Sequence, residues 1–149
     1  MSIPRHIFKQ YDIRGLVGEE ITEELAENIG RAYAQFLAGE LSDSQEMMVV
    51  VGRDMRESSV AYQNRLMAGL VKSGVRVVDI GLVSTPAFYF GVGHLKADGG
   101  IMVSASHNPA AYNGFKLTRA NAVPISGDTR VWINRESRGR PRACDSGGV

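Results

Sequence analysis

Six consecutive residues, Ser104-Ala105-Ser106-His107-Asn108-Pro109, place hydroxyls beside an imidazole and a carboxamide. The proline forces Asn108 away from helical geometry, so the segment reads as a sharply turned loop that exposes a serine. Such a loop suits covalent chemistry in which the serine accepts a phosphoryl group and the neighbouring polar groups orient it and balance its charge. The same residues also suit an ordinary Asn-Pro turn, with serine and asparagine satisfying backbone groups.

Two cations could serve that serine. Lys116 lies ten residues beyond Ser106, in Tyr112-Asn113-Gly114-Phe115-Lys116-Leu117, where an Asn-Gly turn is expected to precede a short strand. Returned beside the serine, its ammonium could stabilise phosphate or relay a proton; otherwise it is a surface lysine on an edge strand. Arg14, in Tyr11-Asp12-Ile13-Arg14-Gly15, stands beside a glycine, a combination suited to holding an oxyanion against backbone, or else a charged turn paired internally. Arg53, Asp54 and Arg56 form a third cluster that could equally brace a loop or meet a ligand.

These residues need a scaffold. Leu25, Ile29, Ala32, Tyr33 and Phe36 follow helical spacing after Thr22, a fitting N-cap with Glu23 and Glu24 at the positive end of the dipole. Met47–Val51 is a short unalternating apolar run, as expected of a strand covered on both faces. A second helix opens at Ser58 or Ser59, shows Val60, Leu66, Met67, Leu70 and Val71 as its apolar residues, and stops near Gly74. Val75–Ile80 reads as a strand, Thr85-Pro86 as the cap and first turn of a third helix reaching toward Leu95, and Ile101–Ser104 as a further strand. Strands alternating with helices predict an α/β domain, three-layer α/β/α, with a mostly parallel mixed sheet. In such a sheet ligands bind outside the carboxyl ends of the strands, where loops 52–59, 81–86 and 105–109 lie.

Composition narrows the function. The 149 residues carry 17 Lys and Arg against 16 Asp and Glu, a net charge of +1 that gives no broad basic field for nucleic acid or membrane. The single cysteine, Cys144, excludes an internal disulfide framework and a multi-cysteine zinc site. The first residues lack the apolar run of a secretory signal, and no stretch approaches the length of a membrane span, so a soluble, cytoplasmic protein is expected. One domain is expected over 1–127. Residues 128–149 lose all periodicity and hold five arginines against Asp128, Glu136 and Asp145; they are expected to be a divergent tail, disordered or not native to the domain.

In order and combination, YDIRG, GRDMRESS, GLVSTPA, GGIMVSASHNP and YNGFKL resemble the first domain of the α-D-phosphohexomutase family over roughly residues 7–127, closest to its bacterial phosphomannomutase/phosphoglucomutase branch. Phosphoglucosamine mutases, the alternative branch, typically begin Phe-Gly-Thr-Asp-Gly-Ile-Arg-Gly, where this chain has Phe8-Lys9-Gln10-Tyr11-Asp12-Ile13-Arg14-Gly15. The resemblance implies a domain I-like fold and Ser106 as the phosphorylated residue. It also implies an Mg²⁺ ligated through the phosphate on Ser106, with the remaining ligands in a second domain. His107 and Asn108 would support the loop, Lys116 and Arg14 would lie against the reacting groups, and Tyr11 would line the entrance. The implied reaction interconverts hexose 1-phosphate and 6-phosphate through a bound hexose 1,6-bisphosphate, for glucose or mannose. Oligomeric state is left open.

Family members are several times longer, with the metal loop, the sugar-selecting loop and a remote phosphate-binding loop in later domains. The 149-residue chain alone is therefore expected to be inactive. Other readings are a truncated phosphate- or partner-binding module without chemistry, and a serine hydrolase, which would need a Gly-x-Ser-x-Gly elbow and an acid partner for His107.

Overall fold

The computed structural model describes residues 3–41 and 46–125. Residues 128–149, expected to form a divergent tail, lie outside the described residues.

Five strands form one sheet: β1 (Asp12–Leu16), β2 (Met48–Arg53), β3 (Arg76–Leu82), β4 (Gly99–Val103) and β5 (Tyr112–Arg119), in the order β1-β5-β4-β2-β3. Strands β3, β2 and β4 run parallel, whereas β5 is antiparallel to β4 and β1 antiparallel to β5. Helices α1 (Glu23–Glu40) and α2 (Ser59–Lys72) cover one face, and α3 (Thr85–His94) covers the other, giving the three expected layers. Consecutive residues of β2 explain the unalternating run: Val49 and Val51 pack under α1 and α2, while Val50 packs under α3. Strand β4 divides likewise, Ile101 and Val103 to one side and Met102 to the other. The chain crosses from β2 to β3 through α2, then back past β2 to β4 through α3 on the opposite face. Reversing both direction and face gives the two crossovers one hand.

Thr22 caps α1, its Oγ1 accepting from the Leu25 amide at 3.1 Å. The cap of α3 is Ser84 rather than Thr85: Ser84 Oγ accepts from the Ala87 amide at 3.2 Å, and Pro86 falls within the first turn. In α2 Leu66 and Leu70 are buried as their spacing predicts, but Val60 and Val71 are exposed. The inward face of α2 is completed instead by Tyr62, Gln63 and Gly69, because α1 approaches so closely that a Cβ on Gly69 would overlap the Glu27 carbonyl oxygen. Among the described residues no helix is long and apolar enough to cross a membrane.

Between α1 and α2 the buried Glu27 carboxylate meets Arg31 at 2.5 Å, Lys72 at 2.7 Å and Arg65 at 2.8 Å. The Lys72 hydrogen bond first, then the charges of Arg65, Lys72 and Arg31, hold its carboxyl below the ordinary 4.5. The unfolded chain therefore binds the proton first as pH falls. The contribution of Glu27 to stability is full above the unfolded value and is lost as pH drops through the folded one. Urea midpoints measured between about pH 6 and about pH 3 should fall for the wild type, and Glu27→Gln should start lower and fall less steeply.

Candidate active site

At the carboxyl end of β4 the ladder runs one residue further, the Ser104 amide donating to the Gly114 carbonyl at 2.9 Å, before the chain turns away from the sheet. Ser104 is buried, and its Oγ accepts from the Ser106 amide at 3.0 Å. Ser106 itself sits in the left-handed region at φ 56°, which a non-glycine residue holds only where its surroundings impose it. The Asn108 amide closes the turn on the Ala105 carbonyl at 3.1 Å, and the loop rejoins the sheet as β5.

Arg56, from the loop after β2, lies beneath this turn. It donates to the carbonyls of Ser106 (3.1 Å), Asn108 (2.6 Å), Pro109 (2.8 Å) and Tyr112 (3.0 Å), and to Asp54 Oδ2 (3.1 Å). Asp54 Oδ1 also accepts from the Arg56 amide and the Ser59 hydroxyl. The Arg56 side of the cluster therefore braces the loop, resolving the choice its composition leaves open. Ser58, at the N-cap of α2, makes no capping bond with its hydroxyl; it accepts instead from the Asn113 side-chain carboxamide, Nδ2, at 2.8 Å. Residues 113–114 accordingly lie within β5 and form no turn.

Residues 12–16, which show no clear period, form β1, and its pairing with β5 sets Asp12 opposite Lys116 and Arg14 opposite Gly114. The buried Asp12 carboxylate meets Arg14 Nη2 at 2.5 Å and Lys116 Nζ at 3.9 Å. Arg14 Nη1 then donates to Asn108 Oδ1 at 3.2 Å, tying β1 to the serine loop. A cleft of about 390 Å³ opens there, lined by Lys9, Arg14, Asn108 and Tyr112 among others.

Four of the residues expected from sequence are thus joined: Ser106 and Asn108 share the loop, Arg14 bonds Asn108, and Lys116 connects through Asp12. His107 is exposed and makes no hydrogen bond or ion pair among the described residues. Tyr11 is 55% exposed, and its hydroxyl accepts from the Gln10 carboxamide at 3.3 Å. Asp12, Asp54 and Arg56 complete the network. Asp12 and Arg56 stand inside motifs that the sequence singles out, but which partners they choose depends on strand register and on backbone carbonyls.

Arg14, Lys116 and Arg56 outnumber Asp12 and Asp54, leaving the loop's surroundings one positive charge in excess, a setting that favours an added anion. Among the described residues no group of three or more His, Cys, Asp or Glu could hold a metal ion. Asp54, the carboxylate bonded to the loop's brace, is already occupied by Arg56 and Ser59.

Residues 5–140 match the family model described as phosphoglucomutase/phosphomannomutase, alpha/beta/alpha domain I. A phosphomannomutase of Vibrio cholerae is 50% identical over 122 residues, which cover 82% of this chain and 26% of that protein. One from Klebsiella pneumoniae is 52% identical over 122 residues, covering 82% of this chain and 73% of that sequence. The crystal structure of a phosphoglucomutase/phosphomannomutase family protein from Burkholderia thailandensis superposes with a TM-score of 0.82 at 36% identity, covering 92% of this chain and 31% of that one. The chain thus spans about a quarter of the Vibrio cholerae protein. With its fold, its ordered motifs and its sequence in agreement, the chain belongs to the phosphoglucomutase/phosphomannomutase family, as an α/β/α domain I.

Proposed function

We propose that Ser106 carries the phosphoryl group of a phosphomannomutase/phosphoglucomutase, which interconverts hexose 1-phosphate and 6-phosphate through a hexose 1,6-bisphosphate. The observation that carries this reading is the Ser106 loop. Its serine is held in a left-handed backbone at a strand end, with Arg14 on Asn108 and with Arg14 and Lys116 both on Asp12 Oδ2.

In the forward half-reaction a sugar hydroxyl oxygen attacks phosphorus and the bond from phosphorus to Ser106 Oγ breaks; the proton lost by the sugar hydroxyl is balanced by one taken up at Ser106 Oγ, leaving the bisphosphate and a free serine hydroxyl. The second half-reaction returns the other phosphoryl group to Ser106. Arg14 would stabilise the charge on the transferring group, and Lys116 would move the hydroxyl proton. Asn108 and His107 would support the loop, and Tyr11 would line the entrance. Positioning and charge compensation supply most of such catalysis, because a serine phosphate ester is stable until it is aligned. Mg²⁺ would add Lewis-acid charge compensation through an oxygen of the phosphate on Ser106, its other ligands lying outside the described residues. The reading includes a reducing, cytoplasmic setting, supported by one cysteine in 149 residues.

Incubation with glucose or mannose 1,6-bisphosphate, followed by intact-mass analysis, tests the proposal. A gain of one phosphoryl group mapped by fragmentation to Ser106 is the expected result. No gain, or a gain elsewhere, would count against it. The full cycle is expected to need the rest of a mutase, so a coupled assay on this chain alone should show no turnover.

A further inference from the structure

The shape of the Ser106 loop depends on a residue that lies behind it. A guanidinium has five N–H bonds in a planar fork, and in Arg56 every one is engaged: Nε on Asp54, Nη1 on the Pro109 and Tyr112 carbonyls, and Nη2 on those of Ser106 and Asn108. The bond to the Ser106 carbonyl orients the peptide after the serine. The bond from the Ser106 amide to Ser104 Oγ orients the peptide before it. With both flanking peptides fixed, the left-handed backbone follows, and with it the direction in which Cβ and Oγ project. The Arg56 side chain is only 10% exposed, so water competes little for these bonds.

We infer that Arg56 is the positioning residue of the phosphoryl-carrying serine: it aims Ser106 by holding the serine's own carbonyl. The inference rests on the reading of Ser106 as the carrier. It assigns Arg56 no contact with substrate. Around the loop the other charged or titratable groups are His107 within it, Asp12 and Arg14 on β1, Lys116 and Tyr112 on β5, Asp54 and Glu57 beside Arg56, and His6, Lys9 and Glu20 along the cleft. All are common to the variants below, so a difference between variants reports Arg56.

The test uses the 149-residue chain and measures two things in the wild type, Arg56→Gln and Arg56→Lys: the rate at which hexose 1,6-bisphosphate loads a phosphoryl group on Ser106, by intact mass across donor concentrations, and backbone amide exchange. Arg56 touches no substrate, so in Arg56→Gln the rate at saturating donor should fall about tenfold while the donor concentration giving half that rate is unchanged. Arg56→Lys restores the charge but not the fork. Its rate should fall likewise, with the amides of Ser106 and Asn108, bonded to Ser104 Oγ and the Ala105 carbonyl, exchanging about tenfold faster and those of Val50 and Leu66 unchanged. An unmoved rate in a folded Arg56→Gln chain, or wild-type loop protection in Arg56→Lys, overturns the inference. If Arg56→Gln does not fold, Arg56→Lys decides through the same exchange measurement; loss of the fold in both assigns Arg56 to the core and also overturns it. Failure of the underlying reading shows separately, as a wild-type chain that gains no phosphoryl group from hexose 1,6-bisphosphate.

Discussion

Alanine at position 106 is expected to abolish phosphoryl transfer to the chain, whereas alanine at position 104 should slow it about tenfold, the effect of one lost hydrogen bond of about 1.4 kcal/mol. The two serines are two residues apart and chemically identical, so the structure makes the distinction. Ser104 is buried and spends its Oγ as acceptor for the Ser106 amide, while Ser106 stands at the turn with its side chain partly exposed. Ser106→Thr adds a sharper condition. It keeps a hydroxyl nucleophile, but a β-branched residue resists φ near 56°, at a cost of about 2 kcal/mol. Transfer to the threonine hydroxyl of this variant should therefore be slower than wild type by roughly thirtyfold. Intact mass against time, with hexose 1,6-bisphosphate as donor, measures all three. Equal rates for wild type and Ser106→Thr would show that backbone strain at the loop has no part in the chemistry, and full transfer to Ser106→Ala would remove Ser106 from it.

Much of this arrangement is legible in the residues themselves. The helix starting after Thr22 and the covered strand around Val49–Val51 follow from a cap and an apolar run, and both occur as read. Strand β1 leaves no such trace, because its charged residues point into the site and are satisfied there: Asp12 by Arg14 and Lys116, Arg14 by Asp12 and Asn108. The Asn113-Gly114 pair carries a strong turn signal that tertiary contacts override. Asn113 is buried against the hydroxyls of Ser58 and Ser59, and Gly114 lies where a Cβ would overlap the Ile13 carbonyl oxygen. Arg56 is visible as an arginine near a strand end, but its four acceptors across the loop are main-chain carbonyls, which no residue type reveals. Val60 and Val71 show the opposite limit, since helical spacing alone does not say how wide a stripe the neighbouring helix will cover.

The largest effect on stability is expected at Gly99, where a methyl group should destabilise the fold by about 3 kcal/mol, the upper end for overpacking a filled core. Strand β4 is covered on both sides, and its first two residues are glycines for separate reasons. A Cβ on Gly99 would overlap Tyr33 Oη, on α1, and lie 2.7 Å from the Thr118 carbonyl oxygen, on β5. One on Gly100 would meet Val92 Cγ2 at 2.6 Å and the Phe88 ring at 2.8 Å, on α3. The Gly100 neighbours are side-chain ends that can shift, so Gly100→Ala should cost about 1 to 2 kcal/mol. Tyr33 cannot yield as easily: it is fully buried, burial drives its phenol well above the ordinary range, and the protonated hydroxyl donates to the Thr118 carbonyl at 2.5 Å. Removing that hydroxyl separates the two contributions. Tyr33→Phe alone should cost about 1 kcal/mol for the lost bond, yet in the Gly99→Ala background it should restore stability by relieving the overlap with Oη. Urea unfolding of the four chains gives the coupling directly. Additive losses would mean that β4 moves as a whole to admit the methyl, in which case the displacement should continue along the strand to Ser104 and the Ser106 loop, and phosphoryl transfer should slow with stability.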